Sequence, residues 1–199
     1  MNTIENIKKT IANEATAVNN LSNQITKEFE DVINIIAKCK GKVILSGVGK
    51  SGLIGRKIAA SFASTGTPAF FIHSTESLHG DLGMIEKEDI VILISNSGET
   101  NEVISMIPSL NKIGCQKIAI TSKEASTLAK ACDSALIYQY EKEVDHLGLA
   151  PTTSAMLTLA IGDALATTVS KMKDFKKEDF HVFHPGGSLG KQLSDNKNN

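Results

Sequence analysis

The sequence predicts an α/β fold of three layers, with a five-stranded parallel sheet between two layers of helices. Two observations carry this. Five short apolar runs, rich in Ile and Val, are mostly continuous rather than alternating, which is the pattern of strands covered on both faces. Helical segments lie between most of them, and such alternation builds a parallel sheet.

The elements follow in chain order. Residues 2–39 read as helical, with Ile4, Ile7, Ile11, Ala15, Val18, Leu21 and Ile25 at helical spacing. A second helical stretch holds Phe29, Val32, Ile33 and Ile36, and Gly41 is expected to close it as a left-handed cap. The strands are read over 43–45, 69–72, 90–94, 118–120 and 135–138, with helices over 51–64, 100–113 and 125–131. Pro151 stands where a further helix is expected to start. That helix, 151–172, is apolar on most sides and must therefore be buried, in part against another subunit. The chain divides into a helical segment over 1–40 packing on a domain over 41–193, and a frayed tail over 194–199.

Bulk properties exclude several classes. A length of 199 residues fits one domain. A net charge of −1 leaves no basic face for nucleic acid. No apolar run reaches the roughly 18 residues of a membrane-spanning helix. The start, "MNTIENIKKTIANEA", mixes acids and bases and lacks the apolar stretch of a signal peptide. The expectation is a cytoplasmic protein without nucleic-acid or membrane partners. Cys39, Cys115 and Cys132 are far apart and form no C-x-x-C, so they read as buried reduced thiols.

In an open parallel sheet, ligands bind beyond the carboxyl ends of the strands. The loops there concentrate glycines, hydroxyls, two histidines and a lysine over 46–52, 73–81, 95–100 and 121–122. "SNSGET", 95–100, opens a helix, and N–H groups at a helix start attract an anion. Ser95, Ser97 and Thr100 add hydroxyls, and Gly98 is expected to let the backbone approach a phosphate closely. An ordinary capped turn uses the same residue types. The facing lysine loop favours phosphate.

That facing loop is "SGVGKSG", 46–52. A triphosphate P-loop would need glycine at 44, where Ile44 stands, so that reading fails. The dinucleotide fingerprint G-x-G-x-x-G fits, and Glu76 follows at about the right distance. But Lys50 puts a charged side chain where only backbone is wanted, and a second phosphate cup after the third strand goes unexplained. A single small phosphorylated ligand fits better.

The strings G-V-G-K-S-G, S-T-G-T-P-A-F-F, H-G-D-L-G-M-I, S-N-S-G-E-T, L-A-P-T-T-S and F-H-P-G-G-S-L-G-K resemble the sugar isomerase (SIS) domain family. Within it they are most similar to the D-arabinose 5-phosphate isomerases, over about residues 40 to 193. The resemblance implies interconversion of D-ribulose 5-phosphate and D-arabinose 5-phosphate through an enediol, feeding Kdo for outer-membrane polysaccharide. It implies no required cofactor, with zinc at His73 adventitious or inhibitory. It implies a homo-oligomer, a tetramer, acting on a small pentose phosphate. Many members carry paired CBS modules after this domain; a chain ending at Asn199 is expected to be a short form without them.

The resemblance maps the catalytic set onto Lys50, Glu102, Glu143 and His184, and substrate contacts onto Ser51, Gly66, Thr67, His79, Ser95, Ser97 and Thr100. On residues alone, Glu102 also reads as a helix-dipole carboxylate, and Glu143 as a solvated loop residue. One of these two glutamates is the expected carbon base. His184, in the rigid turn "FHPGGS", is expected to act on substrate oxygens or open the sugar ring, reaching in from a neighbouring subunit. Two departures stand out: Leu53 where relatives commonly have His, and Asp145-His146 where they have Cys-Pro. Rival readings are another phosphosugar isomerase, such as a hexulose 6-phosphate isomerase, or a non-catalytic sugar-phosphate sensor. "HGDLGMI" and "HPGGSLGK" speak against the first, and the lack of a helix-turn-helix extension against the second.

Overall fold

The computed structural model describes residues 2–186. Its sheet holds β1 (Val43–Gly47), β2 (Ala69–His73), β3 (Ile90–Ile94), β4 (Gln116–Thr121) and β5 (Ser134–Ile137) in the order β2-β1-β3-β4-β5. All pairs are parallel: Val43 lies opposite Ala69 and Ile90, Ile90 opposite Gln116, and Ile118 opposite Ser134. Every strand therefore ends at one edge. The order reverses at β1, and such a switch point opens a crevice between the carboxyl ends of β1 and β3.

Successive side chains of a strand point to opposite faces. Ile90, Ile92 and Ile94 join one apolar core, while Val91 and Leu93 join the other. Burial on both faces is why the strands read as continuous apolar runs. The first face is covered by α1 (Thr3–Leu21), α2 (Lys27–Ala37), α3 (Gly49–Ser64) and α8 (Thr153–Met172). The second carries α4 (Ser74–Ser77), α5 (Asn101–Ile104), α6 (Ile107–Ile113) and α7 (Thr127–Ala131). A last helix, α9 (Lys177–Phe183), follows α8 and was not expected from the sequence.

Some boundaries depart from expectation for visible reasons. The run 100–113 breaks into α5 and α6, with Pro108 in the first turn of α6, where its missing N–H is harmless. α2 stops at Ala37, and Gly41 is not its left-handed cap. A Cβ on Gly41 would instead run into the Asp89 carboxylate and lie 2.7 Å from the Glu88 backbone, so close approach is what requires glycine there. Pro151 precedes the cap Thr152 rather than opening α8. Within one chain, α8 buries Leu157, Ile161, Leu165 and Val169, and leaves Met156 and Ala164 exposed.

α1 is only partly anchored. Leu21 is buried and Ala17 and Val18 pack beside it, but Ile4, Ile7 and Ile11 are 64%, 55% and 62% exposed. α2 places Phe29, Val32 and Ile36 in the same core as the sheet. The three cysteines are free thiols, with Cys115 buried and the others half-buried, and burial pushes Cys132 up to about 12. Among the described residues, no helix is long and apolar enough to cross a membrane. The tail 194–199 lies outside the described residues.

Gly162 tests the α3–α8 contact. Exchanging a helix-interior glycine for alanine ordinarily stabilises by about 0.5–1 kcal/mol. Here the new Cβ would collide with Cγ1 and Cδ1 of Ile58 and lie 2.8 Å from its Cγ2. Gly162→Ala is expected to reverse the sign and cost about 1–3 kcal/mol through overpacking, read as a lower urea midpoint.

Candidate active site

The crevice at the switch point is walled by two loops. Between β1 and α3, Gly49 adopts φ +56°, and a Cβ on Gly52 would lie 3.0 Å from the Gly47 carbonyl. These glycines turn the chain sharply while keeping strand and helix in contact. The cap residue Val48 offers no side-chain acceptor, so α3 begins with open N–H donors. Lys50 stands in that first turn, exposed and, among the described residues, without a carboxylate partner. A cation at the positive end of a helix dipole is unfavourable. An anion bound there offsets both.

The facing loop, 95–100, is shaped by its own hydroxyls. Ser95 Oγ lies 2.7 Å from Thr100 Oγ1 and accepts from Gly98 N at 3.0 Å. Ser97 Oγ accepts from Glu99 N at 3.1 Å. Gly98 has φ +67°, and a Cβ there would meet Ser126 Oγ, so its conformation and its packing against the α7 loop both require glycine. The Glu99 carboxylate accepts from Thr127 N at 2.8 Å, tying the loop to α7. No hydrogen bond among the described residues engages the N–H groups of Ser97, Thr100, Asn101 and Glu102. Glu102 itself is exposed in the first turn of α5.

Asn96 joins this loop to the far side of the site. Its carboxamide accepts from the Tyr138 hydroxyl and donates to the Tyr140 hydroxyl, each at 2.9 Å. With Lys50, Ser51, Tyr138, Ser154 and Thr158 it lines a cavity of about 40 Å³. On its other side an open groove of about 720 Å³ runs past Ser97, Ser122, Tyr140 and Glu143.

Glu143 is not the solvated loop residue its surroundings in the sequence suggested. It is 6% exposed, and its Oε2 accepts from Thr152 N at 2.8 Å, Thr152 Oγ1 at 3.0 Å and Ser154 N at 3.2 Å. Those donors open α8, so Glu143 caps that helix from nine residues away. Burial alone would raise its pKa, but the bonds from Ser154 and Thr152 outweigh burial and hold it below the ordinary carboxylate value. Nearby, Asp145 accepts from Leu147, Leu149 and Ala150 N–H groups at 3.0, 2.8 and 2.9 Å. Its slight burial acts upward, yet those donors, Ala150 foremost, lower its pKa. The departure at 145 thus folds the loop between Glu143 and α8. Leu53, the other departure, is 61% exposed on α3.

The remaining expected residues divide. His73 closes β2, and its Nδ1 accepts from Thr75 N at 3.3 Å. Among the described residues no group of three or more His, Cys, Asp or Glu surrounds it or any other point as a metal site would require. His79 is exposed on the loop that follows α4. Gly66 and Thr67 precede β2 and so lie at the amino edge, opposite the crevice. There Gly66 packs beneath Phe175, and Thr67 Oγ1 accepts from Lys173 Nζ at 3.2 Å. Within one chain these two residues support the α8–α9 junction and lie apart from Lys50. His184 ends α9, stacked on Phe180 with ring centroids 3.8 Å apart. The 20 residues of α8, about 30 Å at helical rise, run from the Lys50 cavity to that junction. One chain therefore places Lys50, Ser51, Ser95, Ser97, Thr100, Glu102 and Glu143 beyond the carboxyl ends of the strands, but not His184. Asn96, Tyr138, Tyr140 and Ser154 were not singled out in the sequence. The available signals were Y-x-Y at the end of the fifth strand and the hydroxyl row Thr152-Thr153-Ser154.

Comparisons with known proteins agree on the family. The family model for the SIS domain matches residues 35–168. Arabinose 5-phosphate isomerase KpsF of Escherichia coli O6:H1 is 51% identical over 191 residues, covering 96% of this chain and 58% of that protein. Arabinose 5-phosphate isomerase KdsD of Escherichia coli K12 is 47% identical over 186 residues, covering 94% and 57%. The chain thus spans less than two thirds of the length of these curated relatives. A solved structure of an Escherichia coli CFT073 protein in complex with arabinose 5-phosphate matches with TM-score 0.90 and 48% identity, covering 93% of this chain and all of that one.

Glu143→Gln keeps the shape and removes the charge. It is expected to cost about 1 kcal/mol near neutral pH, the difference between a charged and a neutral acceptor. Because the folded-state pKa is lowered, the wild-type advantage is present above the unfolded value of about 4.3. It is lost as pH falls through the folded value, where both side chains are neutral. Thermal unfolding of the pair at pH 7 and under acid conditions checks this.

Proposed function

The chain belongs to the SIS domain family, and on that premise we propose that it is an aldose–ketose isomerase interconverting D-ribulose 5-phosphate and D-arabinose 5-phosphate. The observation that carries the reading is the crevice between β1 and β3, where, among the described residues, Lys50 has no carboxylate partner and the N–H groups of Ser97, Thr100, Asn101 and Glu102 have no acceptor. Close similarity to proteins named arabinose 5-phosphate isomerase supports the sugar, as does the structural neighbour in complex with arabinose 5-phosphate.

In this reading the phosphate rests on the N–H groups of Ser97 and its neighbours, with Lys50 as counter-charge. Holding that remote group supplies orientation at the reacting carbons. A carboxylate removes a proton beside the carbonyl and returns it to the adjacent carbon, through a cis-enediol. We assign this base to Glu102, whose carboxylate is exposed and free of the α8 cap. Glu143, already accepting three hydrogen bonds, is a weaker base and orients the α8 terminus. His184 reaches the site from a second copy and moves protons on oxygen. Exposed Ile4, Ile7 and Ile11 on α1 and Met156 on α8 support such an assembly, a homotetramer. Enediol chemistry with tuned side chains needs no cofactor, and zinc at His73 would be adventitious or inhibitory. The enzyme works in the cytoplasm, and its product feeds Kdo formation.

Purified protein given ribulose 5-phosphate should yield arabinose 5-phosphate. Glu102→Gln is expected to lower kcat by about 10²–10⁴-fold, the usual weight of a general base, with unchanged melting temperature. Saturable sugar-phosphate binding without turnover would make the chain a sensor instead. Full activity in Glu102→Gln would remove Glu102 from the carbon.

A further inference from the structure

Both tyrosines of the chain, Tyr138 and Tyr140, stand just past the end of β5 and meet on one side chain. The Tyr138 hydroxyl donates to Asn96 Oδ1, and Asn96 Nδ2 donates to the Tyr140 hydroxyl. The two rings are stacked, 6.1 Å apart and inclined by 26°. From α8, Thr158 Oγ1 donates to the Tyr138 hydroxyl at 3.3 Å. Burial pushes Tyr138 up to about 12 and raises Tyr140 as well, so both hydroxyls keep their protons.

The backbone of Asn96 is held too. Its carbonyl accepts from Ser122 Oγ at 2.8 Å, Ser122 N at 3.0 Å and Thr121 Oγ1 at 3.2 Å. A peptide unit is planar and trans, so its N–H points opposite to its C=O. Fixing the Asn96 carbonyl toward β4 therefore aims the Ser97 N–H the other way. That N–H has no partner among the described residues. Side chain and carbonyl together leave the Asn96–Ser97 peptide one orientation.

We propose that Tyr138 and Tyr140 are positioning residues that act through Asn96, presetting the Ser97 N–H as a donor to the phosphate of the bound sugar. The proposal rests on the isomerase reading for the sugar, but its core is a phosphate-binding device. The tyrosines touch no reacting atom. They shift the cost of ordering the loop from the binding step to folding.

Tyr140→Phe removes one grip and keeps the ring. Inorganic phosphate is the first probe, by calorimetry, and arabinose 5-phosphate turnover the second. Phosphate affinity is expected to fall about three- to tenfold, the weight of one hydrogen bond. KM for the sugar phosphate should rise by the same factor, with kcat unchanged within about twofold. In an Asn96→Ala background, Tyr140→Phe should have no further effect on phosphate affinity, as coupled sites require. Unchanged phosphate affinity in Tyr140→Phe overturns the proposal. So does an equal loss in both backgrounds, or no phosphate binding by the wild-type chain. A fall in kcat at constant KM overturns it as well, by placing the hydroxyl in the chemistry. Phosphate binding reads the clamp even if no pentose phosphate is turned over, so failure of the isomerase reading remains a separate result.

Discussion

A single buried carboxylate, that of Glu143, closes the amino terminus of α8, and the carboxyl edge of the sheet is arranged around it. Burying that charge is costly unless donors replace water. Thr152 and Ser154 replace it with three hydrogen bonds, and the start of a 20-residue helix adds its dipole. α8 in turn packs along α3, where Gly162 meets Ile58, and α3 carries Lys50. The helix that Glu143 fixes is thus the wall against which the lysine loop is placed.

The same electrostatics sorts the helix ends at this edge. α8 receives a protein anion at its amino terminus. α3 receives none: its cap has no acceptor and its first turn holds a lysine. α5 begins with open donors as well. Lys50 and open N–H donors are thus left where the sheet order reverses, with Glu102 the acidic residue of the α5 first turn. The glycines that resemble a nucleotide signature serve geometry, with Gly49 in a left-handed turn and Gly47 and Gly52 in contact. The charge that matters is on Lys50.

Much of the fold was legible because burial on both faces leaves an unmistakable trace. The continuous runs around Ile44, Val91 and Ile118 marked central strands. Spacing could not tell that the run 100–113 breaks before Pro108, since either half is helical by composition. Of the site, the two facing loops were visible as glycine and hydroxyl clusters after strands. Glu143 looked like a solvated loop residue because its partners, nine and eleven residues on, are brought to it only by the folded Asp145 loop. Asn96 was hidden because its two tyrosine partners lie more than forty residues away. Gly66 and Thr67, expected as substrate contacts on family likeness, precede β2 and so lie at the amino edge of their own chain.

The proposed site holds one phosphate in the β1–β3 crevice, between the lysine loop and the Asn96–Ser97 peptide. A crystal structure of the protein grown with arabinose 5-phosphate tests this most directly. Phosphate oxygens are expected within about 3 Å of Ser97 N and beside Lys50 Nζ, with the sugar running toward Glu102. A phosphate found at the amino edge near Gly66 and Lys173, or in the crevice but turned away from Lys50, would contradict it.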